Sequence, residues 1–294
     1  VPSPQFEKLV QILRDRRQPT RPDVERLRAG MESAAFPVPD DAEVTAGSLG
    51  GVAIEIVSTP GADPDRTLLY LHGGGYVMGS PNTHRKLAAD LSRAAGVRVV
   101  VPDYPLAPEH PFPAAIEAIT SLYAALLATG VPPEHLAIGG DSAGGGLTMA
   151  TLLAWRDQGL VLPAAALVIS PWVDLTGAEV PDPALVERDP ICSPDDLGTM
   201  GRWYLAGADP YQPLVSPVLA DLTGLPPLLI HVGEAEILVG GSIMLAERAR
   251  AAGVEVTLDV WPDMIHVWHV FAGRVPESTE AVARAGAWIA KALV

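Results

Sequence analysis

The stretch Leu136-Ala137-Ile138-Gly139-Gly140-Asp141-Ser142-Ala143-Gly144-Gly145 decides how the rest of the chain is read. Residues 136–138 are an apolar run of strand character, and a helical pattern runs over 145–156. Between them stands a G-x-S-x-G turn. Such a turn is too tight for side chains at its flanking positions, and it holds the serine in a strained conformation with Oγ above the sheet. The following helix aims its N-terminus at the site and favours negative charge there. Glycine-rich strand–helix turns also arise without any chemistry, so the strand before and the helix after carry the weight. Upstream, His72-Gly73-Gly74-Gly75-Tyr76 directly follows the apolar run 68–71. Three glycines let a substrate approach and offer bare N–H donors to a developing oxyanion, and an HGGG-type loop is the expected partner of this elbow. His72 itself reads as a structural histidine that fixes the loop.

Working outward, short β-branched runs occur at 52–57, 68–71, 97–101, 136–138, 165–169, 228–232 and 254–260. Helical patterns lie between most of them, at 83–95, 114–128, 145–156, 242–252 and 278–293. Strands alternating with helices predict an α/β fold with parallel strands and right-handed crossovers. The strands are nearly all apolar, as required when both sheet faces are covered. Two helical stretches precede this region: an i, i+3, i+4, i+7 stripe of Phe6, Leu9, Val10 and Leu13, and a second starting at Thr20 and Pro22 and carried by Val24, Leu27 and Met31. Pro37-Val38-Pro39-Asp40-Asp41 reads as a linker. One long stretch, 172–225, breaks the alternation. It is rich in Pro, Asp and Gly, has one short helix at 194–205, and is expected to be a functional cover.

Composition narrows the function. The 294 residues are 48% hydrophobic and 19% charged, enough apolar material for a large core. The net charge of -15 makes nucleic acid and anionic lipid surfaces poor partners. No apolar run reaches the roughly 18 residues of a membrane span. Residues 1–8 do not read as a signal peptide. The single Cys192 leaves no internal disulfide framework or thiolate metal cluster and fits a reducing compartment. A cytoplasmic location is the expectation, with a removed leader as the alternative.

Three linked motifs are more specific than any one. His72-Gly73-Gly74-Gly75, Tyr104-Pro105-Leu106-Ala107-Pro108-Glu109 and Gly140-Asp141-Ser142-Ala143-Gly144-Gly145 together resemble the bacterial hormone-sensitive-lipase family (family IV) of esterases, a branch of the α/β-hydrolases. One departure is Pro105, where that family more often has Arg. The resemblance implies an α/β-hydrolase fold: a mostly parallel sheet of about eight strands flanked by helices, with a helical cap. It divides the chain into an N-terminal cap segment, 1–41, and a catalytic domain, 42–294, with a cap insertion at about 172–225. A serine nucleophile needs a base and the base an orienting carboxylate, in the chain order Ser, acid, His. After Ser142 the histidines are His231, His266 and His269. His231 lies within a strand pattern and reads as a core residue. His266 lies between the last strand and the last helix, where the family carries its base; His269 is the fallback. A metal held by His266 and His269 has few candidate co-ligands and no cysteine cluster. The acid is expected after strand 228–232, where both Glu234 and Glu236 stand. Aligning Leu238 with the family's usual Asp-Pro-Leu puts Glu236 at the acid and Ile237 at the proline.

The resemblance further implies oxyanion donors on Gly74, Gly75 and Ala143, and no metal or organic cofactor. Tyr76, Trp203 and Tyr204 are candidates for the acyl pocket. The expected function is hydrolysis of short- to medium-chain acyl esters through an acyl-enzyme. Alternatives are a lactone hydrolase or acetyl esterase of the same mechanism, or a non-catalytic binding module on the same fold. A homodimer through the last strand is expected if that strand lies at the sheet edge.

Overall fold

The computed structural model describes residues 1–16, 23–177 and 182–293. Helices α1 (Pro4–Arg16) and α2 (Val24–Ser33) come first, then strands β1 (Glu43–Leu49), β2 (Val52–Ser58) and β3 (Asp63–Leu71). Helix α3 (Pro81–Ala95), β4 (Val97–Pro102), α4 (Ala114–Ala128), β5 (Leu136–Asp141), α5 (Ala143–Asp157) and β6 (Ala165–Ile169) follow. The insertion carries α6 (Pro183–Arg188) and α7 (Pro194–Leu205), and the chain ends with β7 (Leu228–Gly233), α8 (Val239–Ala251), β8 (Val256–Trp261) and α9 (Pro276–Ala292). The helix-start signal Thr20 and Pro22 lies outside the described residues. Within them, α2 is capped by Asp23, whose side chain accepts from Arg26 N.

Among the described residues eight strands form one sheet in the order β1-β2-β4-β3-β5-β6-β7-β8. The β1–β2 and β2–β4 pairings are antiparallel; along β4-β3-β5-β6-β7-β8 every pairing is parallel. This is the α/β-hydrolase fold. Side-chain alternation splits the core. Leu69, Leu71, Ile138, Val168 and Ile230 face the layer that contains α4, α5 and α8, whereas Leu68, Tyr70, Val99, Leu167 and Leu229 face α3 and α9. Helix α5 runs through the interior, with every residue from Ala143 to Trp155 buried. A third cluster joins Phe6 of α1 to Met264, Ile265 and Trp268.

Three elements differ from the sequence reading. Strand β1 was not expected, because it is largely exposed and its residues show no apolar alternation. Its signal was the Gly50-Gly51 pair, both at positive φ, which closes a two-residue hairpin onto β2. The last strand starts at Val256 rather than at 254, since Val254 N donates back to Ala249 O at the end of α8. Helix α6 has only 6 residues, too short for a periodic stripe. Among the described residues no helix is long and apolar enough to cross a membrane.

The topology fixes where chemistry can occur. Strands β3, β5, β6, β7 and β8 are consecutive and parallel, so the loops at their carboxyl ends gather along one edge of the sheet. Those loops hold the triple glycine, the elbow, Ser170, Glu236 and His266.

Candidate active site

Ser142 stands between β5 and α5 at φ 53°, ψ -121°, a conformation that costs a non-glycine residue about 1–3 kcal/mol. Its backbone is held on both sides. Ser142 N donates to Ile169 O at 2.8 Å, and Ser142 O accepts from Trp172 N at 2.9 Å and Gly146 N at 3.0 Å. Gly144 is demanded by close approach: a Cβ there would fall on the carbonyl oxygen of Leu71 and lie 2.5 Å from that of His72. Any side chain would push the elbow off β3.

Glu236 reaches the imidazole. Its Oε2 is 2.5 Å from His266 Nδ1, and its other oxygen accepts from Ser170 Oγ at 2.8 Å and from Gly233 N at 2.6 Å. An ionised carboxylate only accepts, so Nδ1 carries the proton and Nε2 is left as the ring's acceptor. Glu236 is 0% exposed and His266 4%. Burial opposes a charge on His266, but the Glu236 carboxylate on Nδ1 favours one and holds the imidazolium above the ordinary histidine range; the buried Cys192 beside it, its own pKa raised by burial, is a neutral thiol there. Glu234 is elsewhere: its carboxylate is half exposed, accepts from Asp263 N at 3.2 Å and lies 3.9 Å from Arg188. The two acids left open by the sequence are thereby separated, with only Glu236 on the ring.

The other histidines sort by burial. His231 is on β7, fully buried, with Nδ1 3.0 Å from Nε2 of His269. Burial and the neighbouring His231 push the pKa of His269 well below the ordinary value. His72 is likewise buried and sits 4.2 Å from the Tyr104 ring and 5.4 Å from that of His84. Burial, reinforced by His84, pushes its pKa down to about 3. A neutral ring in a stack suits a loop-fixing role. Among the described residues no group of three or more His, Cys, Asp or Glu is arranged to hold a metal.

Beneath the glycine loop, Asp141 ties it to the elbow. Its Oδ1 accepts from Tyr70 Oη at 2.9 Å and Gly73 N at 3.2 Å, with His84 Nε2 at 3.3 Å. Burial would raise this carboxyl's pKa, but His84, Tyr70 and His72 outweigh it and hold it low. Gly74 stands at φ 121°, a conformation open to glycine and strained for other residues. The first internal bond of α5 runs from Gly146 N to Ser142 O, so Ala143 N–H precedes the helical ladder and stays available at the helix N-terminus.

Ser142, His266, Gly74 and Gly75 line one cavity of about 220 Å³. Its outer wall comes from Met31 of α2 and from Cys192, Leu197 and Met200 of the insertion. Tyr76, Trp203 and Tyr204 are not among its lining residues. Tyr76 and Tyr204 instead stack on each other at 3.8 Å, and Phe112 meets Tyr204 edge-on. On α7 the face turned to the cavity carries Asp196, Leu197 and Met200, and Trp203, one turn on, packs against the core at the periphery. On the other side of α7 lies a second cavity of about 540 Å³, lined by Trp172, Leu175, Gly201, Leu205 and Ile237; Leu197 borders both. Sequence reasoning missed Ser170 and the placement of Cys192. The only sequence signal for Ser170 was a polar residue directly after an apolar strand. Cys192 served merely as a guide to compartment, yet it lies beside His266.

Comparison with known proteins agrees with this fold. A family model described as alpha/beta hydrolase fold matches residues 68–270. An acetyl-hydrolase of Streptomyces hygroscopicus is 47% identical over 230 residues, 78% of this chain and 77% of that protein. The crystal structure of EstE5 soaked with p-nitrophenyl butyrate superposes with a TM-score of 0.96 at 47% identity, covering 99% of both chains. That of an esterase from the bacterial hormone-sensitive lipase family does so with a TM-score of 0.95 at 41% identity, covering all of both. The chain belongs to the α/β-hydrolase fold family, in its branch of bacterial hormone-sensitive-lipase esterases.

Proposed function

We propose that the chain is a serine carboxylic ester hydrolase for short- to medium-chain acyl esters, with Ser142 as nucleophile, His266 as base and Glu236 as the orienting acid. The observation that carries this reading is the 2.5 Å contact between Glu236 and His266 Nδ1, in a cavity that also holds Ser142 at a strained elbow. With Nδ1–H turned to the carboxylate, Nε2 takes the Ser142 proton as Oγ attacks the ester carbonyl. The N–H groups of Gly74, Gly75 and Ala143 receive the oxyanion. His266 then protonates the leaving alcohol, and water repeats the sequence on the acyl-enzyme. The scheme draws on side chains, backbone and water alone.

Chain length follows from space. A cavity of about 220 Å³ is below the roughly 300–1,000 Å³ of pockets that enclose drug-sized ligands. It suits a small acyl group, and acetyl esters fall within that range. Residues 1–41 and about 172–225 act as the cap, a reading supported by Met31 and the 191–200 segment at the cavity wall. A homodimer through β8 is supported by its place at the sheet edge and by exposed Val260. Incubation with a fluorophosphonate probe tests the reading. Rapid labelling of the wild type that disappears in Ser142→Ala is expected; a wild type that stays unlabelled would contradict it.

A further inference from the structure

Asp189 follows α6 in the insertion and is 0% exposed. A carboxylate this deeply buried must have its oxygens bonded. Oδ1 accepts from Ile191 N and Cys192 N, each at 2.9 Å. Oδ2 accepts from Ile237 N at 3.1 Å. The first two amides belong to the insertion itself. The third belongs to the loop after β7, and it is the peptide N–H immediately following Glu236. One buried carboxylate thus joins the segment that walls the cavity, through Ile191 and Cys192, to the segment that holds the acid.

Asp189 is not among the cavity's lining residues, so any effect on the reaction passes through others. The path is short. The Glu236 side chain is fixed by Ser170 and Gly233, while the peptide that follows it is fixed by Asp189. Rotating that peptide swings the Glu236 Cα and, with it, the carboxylate under His266. We propose that Asp189 is a positioning residue: by bonding Ile237 N–H it sets Glu236 against His266, so that the imidazole is correctly held only when the insertion is seated. The inference rests on the reading of Ser142, Glu236 and His266 given above.

One substitution breaks the bond, and a second, added to it, holds the same peptide without the bond. Asp189→Asn keeps the shape and can keep one oxygen on Ile191 N and Cys192 N, but turns an amide N–H₂ toward Ile237 N–H. Ile237→Pro, added to Asp189→Asn, removes the donor and lets the pyrrolidine ring fix the peptide, as at the position where the resembled family usually has proline. Proline fits there, because Val239 N donates to Glu236 O at 3.3 Å, which makes Ile237 the second residue of a β-turn. Both variants are measured with a soluble butyrate ester for kcat and KM across the histidine titration range, with circular dichroism to check folding. Groups facing His266 are Glu236 from the β7 loop, Cys192 from the insertion and Ser142 from the elbow; Asp141, His84 and Asp196 line the same cavity.

The expected result for Asp189→Asn is a kcat lower by roughly tenfold to a hundredfold, with KM within about threefold, and for Asp189→Asn/Ile237→Pro a kcat recovered to within roughly threefold of wild type. The rising limb of kcat/KM should also move to lower pH. A displaced carboxylate supports the imidazolium less, so the ring loses its proton earlier. Unchanged kcat and an unchanged limb in folded Asp189→Asn would overturn the inference, as would a double variant no faster than Asp189→Asn. A loss of melting temperature alone, or failure of Asp189→Asn to fold, would assign the bond to stability and overturn it too. Fluorophosphonate labelling of the wild type, run in parallel, separates this outcome from a failure of the Ser142 reading.

Discussion

Ser170 Oγ donates to Glu236 Oε1 at 2.8 Å and accepts from Val267 N at 3.1 Å, so one hydroxyl links the acid to the loop that carries His266. Ser170 stands at the end of β6 with φ 48° and is fully buried. Three strand-end loops, those after β6, β7 and β8, therefore meet through one side chain. Ser170→Ala removes a donor from a buried carboxylate and orphans the Val267 amide. It should lower stability by about 1–3 kcal/mol and kcat by roughly tenfold. Denaturant titration and ester kinetics on the same preparation check both. Loss of stability with full kcat would limit Ser170 to the fold.

Glu236→Gln should lose more activity than Glu234→Gln. Glutamine keeps the shape but removes the charge and can present N–H₂ to the ring, favouring the wrong tautomer. A loss of roughly 10²–10⁴ in kcat is expected. Glu234, half exposed and bonded to Asp263 N, should change kcat by less than about tenfold. Steady-state kinetics with one ester settle the comparison; a dead Glu234→Gln beside a normal Glu236→Gln would contradict the assignment.

Activity should rise with pH, because only the neutral imidazole accepts the serine proton. His266 is held above the ordinary histidine value, so the midpoint of the rise in kcat/KM should lie on the alkaline side of an unperturbed histidine. Glu236→Gln, by removing a group that raises that pKa, should move the midpoint to lower pH. His266→Ala should be as inactive as Ser142→Ala. An active His266→Ala beside an inactive His269→Ala would show the base to be His269.

Leu197 separates the catalytic cavity from the larger one across α7. Leu197→Ala should join them and raise the ratio of octanoate to acetate kcat/KM by roughly tenfold, on the scale of a few buried methylenes. Leu205→Ala enlarges only the far cavity and should leave the ratio unchanged. A panel of p-nitrophenyl esters reads both, and equal profiles for the two variants would contradict the partition.

Much of this was legible in the sequence because it is local. The elbow, the triple glycine and the strand–helix alternation are patterns of adjacent residues, and the helices Ala114–Ala128 and Pro194–Leu205 begin and end where apolar periodicity and flanking prolines indicate. His266 and Glu236 were legible through chain order and a Leu anchor. What was hidden depends on tertiary approach. Asp189 and Ser170 bond to groups 48 and 66 residues away in the chain, and neither lies in a motif. The aromatic pocket candidates lie outside the cavity lining for a related reason. Trp203 and Tyr204 are on the correct helix, but which of its faces meets Ser142 is set by the packing of Tyr76 on Tyr204.

The central claim is that Ser142, activated through His266, is the nucleophile. Its most direct test is mass-spectrometric mapping of a fluorophosphonate adduct on the purified protein, alongside Ser142→Ala. The account predicts one adduct, on the peptide containing Ser142. It also predicts none in the variant, whose circular dichroism is unchanged and whose turnover falls to about 10⁻⁴ or less of wild type. An adduct on another residue, or substantial turnover by folded Ser142→Ala, would contradict it.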